Sequence, residues 1–135
     1  MYKILLIFSL ITIFAFGCKK SDIATGLYGK IRYGKDNITV GSPEDLNKDY
    51  DLKYKGRIYF INYNTYIAIP QTRASYDSIK AISPSTEAKR GKYEIALEAN
   101  TYIAITEDGY LNEMVIVNSN EFKERDFNFF IYTSN

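Results

Sequence analysis

Short segments in which every second residue is apolar recur along most of the chain, and no segment carries a long helical repeat. The clearest is GKYEIALE at 91–98, where Tyr93, Ile95 and Leu97 alternate with charged or small residues. A period of two matches the pleat of a strand with one buried face. The whole pattern predicts an all-β fold, a single antiparallel β-sandwich of about seven strands, over residues 25–135.

The hexapeptide NTYIAI occurs twice, at 64–69 and again at 100–105. Each copy follows a strand-like segment and a polar turn, at 62–64 and at 98–100. We interpret the copies as the return strands of two hairpins, because Asn tolerates the left-handed backbone of tight turns. The chain is too short for the copies to mark two domains.

Four further segments rich in β-branched and aromatic residues are expected to be strands. They are 29–40, which turns back on itself at 35–37, YDSIKAIS at 76–83, NEMVIV at 112–117 and DFNFFIY at 126–132. The second of them is compatible with a strand or a short helix, and we favour the strand. A charged turn around 121–125 separates the last two. Ser42 before Pro43, with acidic residues behind, predicts one helical turn within 42–50.

The residue types that are missing exclude several kinds of chemistry. The chain has no His and a single Cys, so imidazole acid-base catalysis, Cys/His zinc sites and an intrachain disulfide are excluded. A formal net charge of +1 gives no basic field for a nucleic acid backbone. We therefore predict a protein that is not an enzyme, needs no cofactor and binds no nucleic acid. A hydrolase using paired carboxylates is the weakest alternative, since its acids must converge in a cleft.

The run EDLNKDYD at 44–51 places oxygen-bearing side chains at alternate positions, which is similar to the opening of a calcium-binding loop. Tyr50 occupies the position of the loop's glycine, and Gly56 that of its closing glutamate. The run is therefore interpreted as a solvated acidic loop, and no metal site is predicted.

The N-terminus carries an apolar or small run from Ile4 to Phe16, followed by Gly17, Cys18 and the polar residues KKSD. About thirteen residues are too few to cross about 30 Å of hydrocarbon, and this is the length of a signal-peptide core. The segment resembles a bacterial lipoprotein signal. That resemblance implies a signal peptide at 1–17, acylation of Cys18 and a tether at 18–24, with the domain anchored at the cell envelope, on the outer membrane. A secretory peptide or a membrane anchor that merely contains a Cys is the alternative.

The second half of the chain resembles the carboxypeptidase regulatory-like domain, a transthyretin-like β-sandwich. The matching positions, in order, are Gly91, Tyr93, Thr101, Tyr102, Gly109, Tyr110 and Val115–Val117. Asn100 stands where that family usually has Gly. The resemblance implies a domain without catalytic residues that serves as an accessory, folding or binding module.

Tyrosines are the candidate binding residues. In RIYFINY at 57–63 both faces of the expected strand are apolar, and the next segment adds Tyr66. Such a strand is either buried on both sides, with 41–54 and 71–84 as covers, or part of an exposed aromatic strip. The strip would use Tyr59, Tyr63 and Tyr66 to hold a protein or glycan partner. The predicted function is a non-catalytic, lipid-anchored binding or accessory module. The alternative is a structural docking subunit of an envelope or secretion assembly.

Overall fold

The computed structural model describes residues 25–37 and 50–133. The predicted signal peptide at 1–17, the lipidation site Cys18 with its tether at 18–24, and most of the acidic run and of the helical turn at 42–50 lie outside the described residues. Neither helix of the described part is long and apolar enough to cross a membrane.

The described chain forms nine strands and two helices. In order they are β1 Gly26–Asn37, β2 Leu52–Lys53, β3 Gly56–Asn62, α1 Tyr63–Ala68, α2 Arg73–Ile82, β4 Ser85–Ala88, β5 Lys92–Ala96, β6 Asn100–Thr106, β7 Asn112–Val117, β8 Phe122–Glu124 and β9 Phe127–Thr133. Two sheets face each other, which confirms the predicted β-sandwich. One sheet is antiparallel, in the order β4-β3-β6-β7. The other is built around β1, which pairs antiparallel with β5 and β2 and parallel with β8 and β9.

The main core lies between the sheets. Phe60 from one sheet faces Phe127 and Tyr93 from the other, with ring centroids 6.5 and 6.2 Å apart. Around these rings lie the other buried residues of the core: Leu27, Ile31, Tyr54, Ile58, Ala88, Ile95, Leu97, Tyr102, Ala104, Leu111, Val115, Val117 and Phe129. Every strand except the short β2 and β8 contributes to this core, so the two sheets are held together by one continuous apolar layer.

A second apolar cluster lies on the outer face of the four-stranded sheet. It joins Ile61 of β3 and Ile103 and Ile105 of β6 to Ile79 of α2, with Tyr66 and Ile69 packed against it. Helices α1 and α2 therefore cover this face, and β3 is buried on both sides. The interpretation that 71–84 covers one face of β3 is confirmed.

The first copy of NTYIAI is helical, so the prediction that it is a return strand is wrong. The side-chain oxygen of Asn62 accepts hydrogen bonds from the backbone N–H of Asn64, at 3.0 Å, and of Thr65, at 3.4 Å. This N-cap starts α1, and Pro70 follows soon after the helix ends. The second copy is β6, as predicted.

Four other local predictions are also wrong. The segment 76–83 belongs to α2, whose N-cap Thr72 accepts from the backbone N–H of Ser75 at 3.2 Å. Strands β5 and β6 form no hairpin, because β5 pairs with β1 whereas β6 pairs with β3 and β7. Residues 35–37, expected as a turn, are the last three residues of strand β1, and the expected return strand at 38–40 lies outside the described residues. The charged turn at 121–125 contains β8.

Two buried tyrosines make stability depend on pH in the alkaline range. Burial, together with the negative charge of Asp108, raises the pKa of Tyr54 to about 12. Burial and the charge of Asp126 also raise the pKa of Tyr93, still further. Since a tyrosine in an unfolded chain ionises near about pH 10, the unfolded chain loses these protons first, and their loss favours unfolding.

We expect these groups to leave the free energy of unfolding unchanged below about pH 9 and to lower it between about pH 10 and about pH 12. Urea unfolding followed by circular dichroism at a series of pH values measures the effect. A Tyr54→Phe variant removes one titrating group and a long hydrogen bond, 3.4 Å, to the carbonyl of Arg57. Its stability should fall less steeply with pH, and parallel curves for the two proteins would contradict the assignment.

Candidate binding site on the helix-covered face

The three tyrosines singled out from the sequence lie on one side of the molecule but form no continuous strip. Tyr59 is half-buried on β3, and the ammonium of Lys80 lies 5.6 Å from its ring centroid. Tyr63 and Tyr66 are in α1, where Tyr63 is 37% exposed and Tyr66 packs on the apolar cluster. Tyr63 and Tyr66 are three residues apart, a spacing that places them near one face of α1, but no ring contact joins any two of the three tyrosines, and the Tyr66 ring instead contacts Tyr76.

Tyr66 instead takes part in a polar network that links both helices to the sheet. Its hydroxyl accepts a hydrogen bond from the Asn112 side-chain amide of β7 at 2.9 Å. The hydroxyl of Tyr76, on α2, lies 3.4 Å from the Tyr66 hydroxyl and also donates to the side-chain carbonyl of Gln71. The hydrogen bond with Tyr66, together with burial, raises the pKa of Tyr76. Like any tyrosine hydroxyl, it is protonated at neutral pH, and its proton is donated to Gln71.

Beside this network a cleft opens between α2 and the turn that joins β6 to β7. Its volume is about 590 Å³, within the range of about 300–1,000 Å³ that is usual for small-molecule sites. The residues that line it are Arg73, Tyr76, Asp77 and Lys80 of α2, Ile105 of β6, Glu107, Asp108 and Gly109 of the turn, and Asn112 of β7. Buried Ile105 is the apolar member of this set, and the other side chains are polar, charged or aromatic.

The wall formed by the β6–β7 turn is fixed by its own hydrogen bonds. The hydroxyl of Thr106, which is fully buried, donates to the carboxylate of Asp108 at 2.5 Å and accepts from the backbone N–H of Leu111 at 3.1 Å. The same carboxylate oxygen accepts from the backbone N–H of Tyr110. Gly109 takes the left-handed conformation, with φ of 80°, that this turn requires. The carboxylate of Asp108 therefore has a structural role in the turn.

The cleft presents both donors and acceptors. Arg73 and Lys80 bring positive charge, and Asp77 and Glu107 bring negative charge. The ammonium of Lys80 also donates a hydrogen bond to the backbone carbonyl of Glu107, at 3.4 Å, and so links α2 to the β6–β7 turn across the cleft. Such a mixture can bind a ligand that carries several hydroxyl or amide groups. Within residues 25–37 and 50–133, no three acidic or Cys side chains lie together as a metal site.

A depression of about 680 Å³ is lined by Thr25 and by residues 96–99, 119 and 120. Two more depressions are open on the described surface. One, of about 560 Å³, lies beside β4, β5 and β1 and is lined by lysines, glutamates and two tyrosines. The other, of about 430 Å³, runs between the two helices and is bordered by Ile69, Ile79 and Ile82. Neither of them carries a side-chain hydrogen-bond network like the one that joins Tyr66, Tyr76 and Asn112.

Sequence reasoning placed Tyr66 among the candidate binding residues but not its neighbours Tyr76 and Asn112. These two come from segments interpreted as separate strands, and only the helical conformation of 73–82 brings Tyr76 next to β7. The usable signal was Thr72, which is a good N-cap residue. Comparisons with protein-family models, with curated proteins and with solved structures find no match to this chain.

Proposed function

We propose that this protein is a non-catalytic, lipid-anchored binding module of the bacterial cell envelope that holds a glycan in the cleft between α2 and the β6–β7 turn. The observation that carries the proposal is the network at the cleft wall, where Asn112 and Tyr76 place an amide and a phenol group in the cleft and the Tyr66 hydroxyl joins the two from behind. The lipoprotein-like N-terminus supports the envelope location.

The chemistry of the cleft suits a sugar. Sugar hydroxyls both donate and accept, so they can satisfy the carboxylates of Asp77 and Glu107 together with the cationic groups of Arg73 and Lys80. The half-buried ring of Tyr76 offers an apolar face to the C–H groups of a pyranose. Because the wall at 106–111 is held by internal hydrogen bonds, little ordering is needed when a ligand binds.

The anchor would keep this cleft close to a membrane. If Cys18 is acylated, residues 19–24 separate the lipid from the first described residue, and six extended residues span at most about 20 Å. A glycan of the envelope would then meet the domain at a short distance from the lipid surface. The lipid supplies the attachment, because a net charge of +1 gives little attraction to anionic headgroups.

We expect an Asn112→Ala variant to bind oligosaccharides about tenfold more weakly, because it removes a donor and releases the Tyr66 hydroxyl. The measurement is a titration of the protein with a panel of neutral and amino-sugar oligosaccharides, followed by NMR chemical shifts. Tyr63→Ala is the matched control, since Tyr63 is exposed on α1 and does not line the cleft. Thermal unfolding of both variants shows whether each stays folded.

The outcomes separate the two site hypotheses. Shifts confined to residues that line the cleft, with weaker binding only in Asn112→Ala, support the cleft. Loss of binding in Tyr63→Ala with no change in Asn112→Ala would instead support the aromatic strip. If none of the sugars in the panel changes any chemical shift, the glycan proposal is wrong.

A structural docking subunit of an envelope or secretion assembly is the second candidate. The observation that favours it is apolar surface on the helices, where Ile82 borders the groove between α1 and α2 and Ile67 is exposed on α1. Exposed apolar side chains around a groove are typical of protein interfaces. Recovery of one stable set of envelope proteins with the full chain, lost on Cys18→Ser substitution, would favour this candidate over glycan binding.

A further inference from the structure

Strand β7 is the exposed edge of the four-stranded sheet. It pairs with β6 along its whole length, and among the described residues no strand pairs with its other edge. Its side chains alternate: Val115 and Val117 lie in the core, whereas Met114 is 54% and Ile116 61% exposed. An apolar strand with a free backbone edge can accept another strand by hydrogen bonding.

Most of the features that normally protect such an edge are absent from β7. Its six residues pair with β6 in unbroken register, so no bulge twists the edge away. It contains no Lys and no Pro, and its one charged residue, Glu113, forms an ion pair with Arg125. The opposite edge of the same sheet differs, since β4 has only four residues, includes Glu87 and is followed by Lys89.

We propose that β7 pairs antiparallel with β7 of a second copy of this chain, about a twofold axis at Val115, so that two four-stranded sheets become one of eight strands. In this register Met114 faces the partner's Ile116, and Ile116 faces the partner's Met114. The symmetry of the pair makes each exposed apolar side chain meet another. Cross-strand pairs of this kind stabilise antiparallel sheets.

Charge complementarity favours a second copy as the occupant. With the axis at Val115, Glu113 faces the partner's Val117, so no like charges are opposed. Because Glu113 is already neutralised by Arg125, the edge presents no charge that a foreign strand would have to match. The register also places each new apolar pair beside the existing cluster, since Met114 lies next to Ile103 of β6. Pairing would thus extend the apolar layer under the helices across the dimer.

The oligomeric state of the full chain in detergent tests this inference. Sedimentation velocity over a range of concentrations should show a monomer–dimer equilibrium. In the double variant Met114→Lys/Ile116→Lys, a lysine faces a lysine of the partner in both cross-strand pairs. Because like charges repel, its dimer dissociation constant should rise at least about tenfold. Ile82→Lys is the matched control, because Ile82 is 82% exposed on α2, away from β7, and should leave dimerisation unchanged. Circular dichroism checks that both variants are folded.

The register is tested by disulfide formation. In a Cys18→Ser background, a Met114→Cys chain is mixed with an Ile116→Cys chain and exposed to oxidised glutathione. The mixed disulfide should form faster than either symmetric one, because only the mixed pair is directly opposed. A monomer at every concentration, a dimer unaffected by the two lysines, or symmetric disulfides that form as fast as the mixed one would each overturn the proposal. Asn112 belongs to both β7 and the cleft, but glycan binding is measured by sugar titration and not by oligomeric state, so failure here leaves that result unaffected.

Discussion

Replacing Phe60 with Ala should lower the free energy of unfolding by about 3–5 kcal/mol. Phe60 is fully buried, and its ring faces Phe127 and Tyr93 of the opposite sheet. Truncation removes these contacts and leaves a cavity at the centre of the sandwich. The backbones of the two sheets are held by their own hydrogen bonds, so they cannot move together to fill this cavity. Because a whole domain is stable by only about 5–15 kcal/mol, urea unfolding should show a large shift of the midpoint.

The control for this variant is Ile82→Ala. Ile82 is also a large apolar residue, but its side chain is exposed on α2. The change should alter the free energy of unfolding by no more than about 0.5 kcal/mol. Similar losses in the two variants would show that the layer between the sheets is not the principal source of stability.

Gly29→Ala should have the second largest effect, a loss of about 2–3 kcal/mol. A Cβ added to Gly29 would lie 2.2 Å from the backbone carbonyl oxygen of Arg125 and 2.7 Å from its carbon. Backbone atoms cannot rotate away as a side chain can. The link between β8 and β9 would have to move off β1, which breaks the hydrogen bond from the Arg125 N–H to the Tyr28 carbonyl, now 2.8 Å. The hydroxyl of Tyr93 donates to the same Arg125 carbonyl and would lose its partner.

Lys30→Ala is the matched control for Gly29→Ala. Lys30 is the next residue of β1, its side chain is exposed, and its hydrogen bond to Asp126 is made by the backbone N–H. Thermal and urea unfolding should therefore leave Lys30→Ala close to wild type. If Gly29→Ala were equally mild, the close approach of the two backbones would not restrict this position.

The two copies of NTYIAI show where sequence reasoning about this fold stops. In α1, Tyr66 and Ile69 pack on the outer cluster while Ile67 is exposed. In β6 the equivalent side chains are buried on alternate faces, because β6 lies between β3 and β7 in the sheet. The same six residues adopt both conformations because tertiary contacts outweigh their intrinsic helix and strand propensities, which differ by only a few tenths of a kcal/mol per residue. The local signals that differ are the cap at Asn62 and the nearby Pro70.

Strand positions were predictable, whereas strand partners were not. The period-two pattern correctly located β5, β6 and β7. It could not show that the chain crosses from one sheet to the other between β5 and β6, because an alternating pattern records which side is buried and not which strand lies alongside. A short loop between two strands favoured a hairpin, and here the loop turns a corner of the sandwich instead.

The same limit applies to the candidate site. Tyr66 was recognised as a surface tyrosine, but its partners Tyr76 and Asn112 are distant in sequence. Because 73–82 was interpreted as a strand, Tyr76 was not expected beside β7. A cleft built from one helix and one turn becomes visible only when the pairing of β6 with β7 places the turn opposite the helix.

The central position of β1 has a consequence for synthesis of the protein. The Lys30 N–H donates to the carboxylate of Asp126, 96 residues further along the chain, and β9 follows every other described strand in sequence. A ribosome therefore releases β1 long before its parallel neighbours exist. Contacts of such high sequence separation slow folding, so one side of the first described strand should stay unpaired until residues 122–133 have been synthesised.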